Sequence, residues 1–283
     1  MNDTDNWNIK DLVSDLIGHT AETVPQPREI IWASDLGKPY IDRWHQMKGT
    51  PYSNPADGKG LMTFFLGRQI EEGLTGMLKT CQIAFDSQDK VEVKQEGCLP
   101  VVGRPDIYLE VKDWDKVIGS IDEVIAKLGD GEHKAKDKKT ALKNLILSWK
   151  IKYPQGLPKT IFEVKSINSY AFKYHKGTQG LSNAYPHHKL QLYTYLKGLG
   201  LNEGHLVYIA KDTGWIEEVV IRKSSVLEKL WDDDVRKFSE YWQKNEVPPL
   251  EPFTDGDKIN WRVSYSRYKD LLYHNDFIRT EEA

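Results

Sequence analysis

The amino-acid sequence predicts an α/β fold, a β-sheet flanked by helices, and three observations carry that prediction. Between residues 61 and 222, segments with period-two apolar alternation are interleaved with segments whose apolar residues recur at helical spacing. The 283 residues, 39% hydrophobic and with nine Trp, suffice for one large domain or a domain with a substantial insertion. Charged residues reach 29% without long blocks of one sign, as in a folded globular chain.

The elements follow in order. Ile9, Leu12, Val13, Leu16 and Ile17 predict an amphipathic helix behind a Thr4 or Asp5 cap, ended by Pro25 and Pro27. Ser34-Asp35-Leu36 reads as the start of a second helix running to about Met47, and residues 49–60, rich in Gly, Pro, Ser, Asn and Asp, as a loop. Residues 1–60 are thus expected to form a helical segment packed on a core spanning 61–245. That core opens with a helix from about Leu61 to Lys79, carrying Met62, Leu66, Ile70, Leu74 and Met77 or Leu78 along one stripe. On its wheel Glu71 lies nearer the buried face than Glu72, and a carboxylate placed there needs a partner. Two solvated, helix-forming acids are the plain alternative.

Val91 to Gly97 and Leu99 to Val111 read as the two strands of a hairpin with Gly97 near the turn. In the second strand Asp106, Tyr108 and Glu110 alternate with Ile107, Leu109 and Val111, and Pro105 implies an edge position or a bulge just before Asp106. A helical insertion at about 112–158 follows, with helices expected at Asp115 to Leu128 and Asp137 to Lys152. Its middle, with His133, Lys134, Lys136, Lys138, Lys139 and Lys143, is the most basic part of the chain. Such a run is either a solvated face or a phosphate-contacting wall.

Thr160-Ile161-Phe162-Glu163-Val164-Lys165-Ser166 is a short apolar strand on which period two places Glu163 and Lys165 on one face. An acid and a base so placed can hold a metal and a water, or form an ordinary ion pair. The segment from Asn168 to Tyr185, with Lys173, His175 and Lys176, reads as a long functional loop. Pro186 opens a helix to about Leu199, with a core stripe of Leu192, Leu196 and Leu199 and a polar row of His187, Gln191 and Tyr195 spaced by four. Strands at His205 to Ala210 and Trp215 to Arg222 follow, then a helix from Ser224 to about Asn245 with Leu227, Leu230, Trp231, Phe238 and Tyr241 inward. The tail, residues 246–283, carries Trp261, Tyr265, Tyr268 and Tyr273 and is expected to pack on the body.

Cys81 and Cys98 are too few for a four-thiolate cluster and read as small buried hydrophobes in a reducing compartment. No apolar run approaches a membrane span and the first residues lack signal-peptide character, so a cytoplasmic protein with no membrane partner is expected. The net charge of −3 argues against a uniformly basic nucleic-acid coat but allows a local basic channel.

Four short motifs stand in one order: Gly67 with Glu71, Gly-x-Pro-Asp at 103–106, Glu-Val-Lys at 163–165, and Gln-x-x-x-Tyr at 191–195. Through them the chain resembles the PD-(D/E)XK nuclease superfamily, specifically its RecB-like exonuclease branch, which includes CRISPR-associated RecB-type, mitochondrial genome maintenance and phage exonucleases. The resemblance covers roughly residues 61–222. It implies a restriction-endonuclease-like core with a central mixed β-sheet, and a DNA nuclease dependent on Mg²⁺ or Mn²⁺, most simply an exonuclease on linear or single-stranded DNA in recombination, repair or phage replication. A structure-specific or restriction-like endonuclease is the alternative, as is a DNA-binding subunit without catalysis. The setting implied is a bacterial or phage-infected cell.

The residue types suit that chemistry, because hard oxygen ligands select Mg²⁺ or Mn²⁺. Asp106 and Glu163 are the expected ligands, with the Val164 carbonyl and Glu71 completing the sphere. Two carboxylates about 4 Å apart repel by about 4 kcal/mol at an effective dielectric near 20, so gathering three of them calls for a cation. Lys165 would orient or deprotonate the attacking water and shield developing charge. Ser166, Gln191, Tyr195, His187 and Lys173 are the expected substrate contacts. The family often has His where Glu71 stands, which leaves Glu71 and Glu72 both open, and without cluster cysteines no iron-sulfur cluster is expected.

Overall fold

Two larger sheets lie side by side in the described residues, and Pro105 stands where they divide. A computed structural model describes residues 9–19, 23–85, 90–129, 131–170, 185–256 and 258–281. The elements are α1 (Ile9–Gly18), β1 (Ile31–Trp32), α2 (Tyr40–Lys48), α3 (Gly58–Thr80), β2 (Ala84–Phe85), β3 (Val91–Val93), β4 (Val101–Gly103) and β5 (Ile107–Val111). They continue as α4 (Trp114–Lys127), α5 (His133–Lys152), β6 (Leu157–Ile167), α6 (Pro186–Leu199), β7 (Glu203–Ala210), β8 (Ile216–Arg222), α7 (Ser225–Gln243), α8 (Trp261–Ser264) and α9 (Lys269–Glu281), with a small β9 (Thr254–Asp255) and β10 (Lys258–Ile259) ladder in the tail.

The fold is α/β with mixed sheets flanked by helices. The main sheet has the order β2-β5-β6-β7-β8, parallel between β6 and β7 and antiparallel elsewhere. A second sheet has the order β1-β4-β3, with β1 parallel to β4 and β3 antiparallel to it. The predicted hairpin is therefore half right. Val91–Val93 does pair with Val101–Gly103, but the expected long second strand breaks at Arg104-Pro105-Asp106 and its Ile107–Val111 half crosses into the main sheet. Pro105 has no N–H for a ladder and holds the residue before it extended, so the chain leaves one sheet there and joins another.

Helices cover both faces of the main sheet. On one face α6 packs Leu192 and Leu196 against Ile161, Leu206 and Tyr208, all fully buried. On the other, Ile70, Leu74 and Leu78 of α3 meet Ile107, Val164, Val207 and Ile209. Each such aliphatic side chain, fully buried, contributes about 2 kcal/mol from the transfer of apolar surface out of water. Outside α6, α7 contributes Leu227, Trp231, Val235 and Phe238, and the Trp231 indole donates to Thr194 Oγ1 at 2.8 Å.

Several helix details differ from expectation. Helix α3 starts at Gly58 rather than near Leu61, and Asp57 caps it, accepting from the Gly60 N–H at 2.7 Å. Leu66 and Met77 are exposed, so the core stripe of α3 is narrower than expected, and Leu230 of α7 is exposed too. The predicted helix at Ser34 is a single 3-10 turn, Ala33–Asp35, and α2 begins after Pro39. Cys81 and Cys98 are free and only partly buried. The Thr4 or Asp5 cap lies outside the described residues. Among them no helix is long and apolar enough to cross a membrane.

The N-terminal segment and the tail are both tied to the core. Arg43 of α2, 1% exposed, makes a bidentate pair with Asp234 of α7 at 2.8 and 2.9 Å and stacks over Tyr40 and Phe238. In the tail Val263, Tyr268 and Tyr273 are buried, and Ser266 donates to Asp42 at 2.9 Å. Trp261 and Tyr265, expected to pack inward, are exposed.

The insertion is anchored away from Asp106. Helices α4 and α5 form a core with Ile83, Leu109 and Val111, at the Val111 and Leu157 end of the β5–β6 ladder, whereas Asp106 precedes its Ile107 and Phe162 end. Lys143 and Lys150 of α5 are each 2.6 Å from an acid of α4, Asp122 and Asp115. The basic run is thus partly neutralised by its neighbouring helix, and its packing lies at the opposite end of the ladder from the acids expected to do chemistry.

Candidate active site

Strand register brings the sequence-separated acids together. In the β5–β6 ladder Ile107 is the partner of Phe162, so one step further Asp106 stands across from Glu163 on the same face. There the ladder ends, and the Asp106 carboxylate takes over: the Val164 N–H donates to its Oδ2 at 2.8 Å. Glu163 is 1% exposed, and its Oε1 accepts from Lys165 Nζ at 2.6 Å and from Gln191 Nε2 at 2.5 Å. Gln191 also donates to Tyr195 Oη at 3.1 Å, which joins the polar row of α6 to the acid.

Gly103 makes that row possible. A Cβ there would stand 2.6 Å from Tyr195 Cε1 and 2.8 Å from Ala33 Cβ, so only glycine lets the Tyr195 ring lie against β4. Tyr195 Oη then also bonds the Arg104 backbone. Gly67 plays a related part on the other face, where Ser166 Oγ would be 2.8 Å from a Cβ. Ser166 therefore points at α3, on the face opposite Glu163 and Lys165, and is not among the residues gathered around Lys165.

Glu71 reaches the site from α3. It is half-buried and hydrogen-bonded to Asp106, whereas Glu72 is exposed and accepts from Gln69 at 3.0 Å. Burial, then Asp106, pushes the Glu71 carboxyl up to about 7. Burial, then Glu163, pushes Asp106 up to about 7, and burial raises Glu163 as well. Burial alone would lower Lys165, but Glu163, Asp106 and Glu71 outweigh it and hold the ammonium above the ordinary lysine value. Three acids thus surround one cation, and protons on carboxyls offset the remaining repulsion.

This donor set fits a hard divalent cation. Glu163 Oε2 is buried with no hydrogen-bond partner, an expensive state for a carboxylate oxygen and one that a cation would relieve. Glu71, Asp106 and Glu163 offer only oxygen, the donor type of Mg²⁺ and Mn²⁺. Among the described residues no group of three or more His, Cys, Asp and Glu is arranged to hold a metal ion. Glu71 and Asp106 bond each other, and Glu163 Oε1 bonds Lys165 and Gln191, which leaves Glu163 Oε2 as the unsatisfied oxygen of the cluster.

The remaining expected contacts are dispersed. The Val164 side chain lies in the core on the α3 face, while its N–H goes to Asp106. His187 begins the α6 row; burial, then Lys38, with Lys165 and Arg262, lowers it to about 4, so it is a neutral ring at neutral pH. Lys173 lies outside the described residues.

Sequence reasoning missed two neighbours. Tyr208 is the parallel-strand partner of Lys165, and its Oη is 2.8 Å from His188 Nδ1. The His187-His188 doublet at a helix start was the available signal. Lys38 and Arg262, near His187, come from segments with no motif.

A cavity of about 890 Å³ lies elsewhere, walled by Trp149, Leu109, Phe162 and His205. It contains none of the acids around Lys165, so the chemistry and not the cavity size marks the site.

No family model matches the sequence, and no curated protein matches it. The solved structure of SSO0001 is similar, with a TM-score of 0.51 at 15% identity over 94% of this chain and 97% of that one. At that identity the chain shares a fold with SSO0001.

Proposed function

We propose that this protein is a Mg²⁺- or Mn²⁺-dependent DNA nuclease that hydrolyses phosphodiester bonds, acting as an exonuclease on linear or single-stranded DNA. The observation that carries this reading is the convergence of Glu71, Asp106 and Glu163 on Lys165, with Glu163 Oε2 buried and unpartnered. Asp106 and Glu163 would hold the ion, with Glu71 and the Val164 carbonyl beside them. When bound, the cation supplies charge neutralisation of the phosphate and activation of water.

The chain's own groups have separate tasks. The Lys165 ammonium, fixed by Glu163, is positioned to donate to water or to a phosphate oxygen. Gln191 and Tyr195 hold Glu163 in place from behind. In the reaction a water oxygen bonds to phosphorus, one P–O ester bond breaks, and a proton passes to the departing oxygen.

The test is incubation of the purified chain with labelled linear and closed circular DNA, with and without Mn²⁺. Metal-dependent loss of linear DNA that Lys165→Ala abolishes is the expected result. Cleavage of closed circles assigns an endonuclease instead. DNA binding without cleavage in any metal assigns a binding subunit, and cleavage unaffected by Lys165→Ala overturns the site.

A further inference from the structure

The face beside His187 carries a row of cations and aromatic rings that the acid site does not use. A recess of about 420 Å³ there is lined by Trp32, Lys38, Tyr265 and Arg267, with Asp35 and Asp42 also in its wall. Arg267 also lines a second recess, of about 450 Å³, with Phe65 and Arg68 of α3. Arg68 precedes Glu71 by one helical turn, and Gly37 packs on His187, 3.1 Å from its Cα to an ideal Cβ. Lys38, Lys165 and Arg262 all act electrostatically on His187.

The rings are presented to solvent. Tyr265 is 83% exposed, Phe65 50% and Trp32 37%, so their ring faces are open to a ligand. Buried Asp35 fixes Lys38 and its neighbour Arg28, accepting from Arg28 at 2.8 Å and from Lys38 at 3.0 Å. Arg28 Nε is buried with no partner. Arg267 lies over the Tyr52 ring, 4.7 Å from its centre. Rings interleaved with fixed cations suit a ligand that alternates flat π faces with phosphates. A single nucleic-acid strand has that alternation, whereas a duplex keeps its base faces stacked inside.

We propose that Trp32, Lys38, Tyr265 and Arg267, continued by Phe65 and Arg68, form a track that binds one unpaired nucleic-acid strand and leads it to the acid site. Its direction toward that site rests on the nuclease reading, but strand binding itself does not. The rings stack bases, and the cations contact phosphates and make binding salt-dependent.

The test uses the full chain carrying Asp106→Asn, without divalent cations, and a fluorescein-labelled oligothymidylate followed by anisotropy. Trp32→Ala and Tyr265→Ala are each expected to weaken binding roughly tenfold, and Trp32→Phe to restore most of it. Lys38→Gln should reduce the salt dependence by about one released ion. Tyr265 is so exposed that its replacement leaves the fold intact, which keeps that arm decisive. Equal affinity for a blunt duplex, or affinity unchanged by both ring variants, overturns the track. Strand binding that depends on the rings in a chain that never cleaves DNA leaves the track standing and removes the nuclease reading; cleavage with ring-independent binding does the reverse.

Discussion

The Val164 N–H donates to Asp106 Oδ2 at 2.8 Å, joining an acid to a strand 58 residues later in the chain. The side chain does what the ladder no longer can, because β5 starts only at Ile107. One hydrogen bond thus closes the strand edge, while the same carboxyl bonds Glu71 and lies in the field of Glu163 and Lys165.

That double use separates charge from structure at Asp106. Asp106→Asn keeps an oxygen for the Val164 N–H and is expected to leave the melting temperature nearly unchanged while lowering metal-dependent cleavage at least roughly 100-fold. Asp106→Leu leaves a buried N–H unpaired and should cost a further 1–3 kcal/mol, roughly, of stability. Equal cleavage by wild type and Asp106→Asn would remove Asp106 from the site.

Lys165 is the counter-ion of a fully buried acid. Lys165→Met leaves Glu163 with only the Gln191 amide, and urea unfolding is expected to show a loss of about 3 kcal/mol. Adding Glu163→Gln should return most of it, because the uncompensated charge is gone. A single variant as stable as wild type would mean that the pair is not buried as described.

Gly103 is a matter of space. Gly103→Ala sets a methyl 2.6 Å from the Tyr195 ring and 2.8 Å from Ala33, between two elements that cannot both retreat. Overpacking of this kind costs about 1–3 kcal/mol, read as a drop in melting temperature. Because Tyr195 holds Gln191, cleavage should fall with it; full stability and activity would show that the β4 contact is dispensable.

Asp42 predicts a pH dependence away from the acid site. Burial, opposed by the Ser266 hydroxyl and with Glu251 and Lys38 nearby, pushes its carboxyl up to about 6 from an ordinary 3.8. The folded chain therefore holds this proton more tightly than the unfolded chain, and the stabilisation present below pH 3.8 is lost as pH rises through 6. The difference is on the order of 3 kcal/mol. Asp42→Asn should raise the melting temperature at pH 8 and leave it unchanged near pH 4; a gain independent of pH would show that Asp42 does not titrate in this way.

The order of the longer helices and strands from α3 to α7 was legible in the sequence because each rests on local periodicity. The two-residue strands β1 and β2 and the tail helices α8 and α9 were not legible there. Pro186 to Leu199 is the clearest case, since a proline at the first turn and a glycine after the last bound the helix the structure contains. Period two alone placed Glu163 and Lys165 together, and the helical wheel favoured Glu71 over Glu72. The break at Pro105 was legible as a bulge, but its consequence was not. Whether a strand bends within one sheet or leaves for another depends on which partners lie beyond it, and for β4 those are β1 and β3.

What the sequence determined by itself was therefore the alternation of helices and strands and the residue types available for chemistry. Only the tertiary structure decided that Asp106 faces Glu163, that Ser166 turns away toward Gly67, and that the basic insertion packs at the far end of the β5–β6 ladder. The physical reason is that register, facing and burial arise between segments distant in the chain. A local pattern fixes which side of a strand a residue occupies, but not what stands across from it.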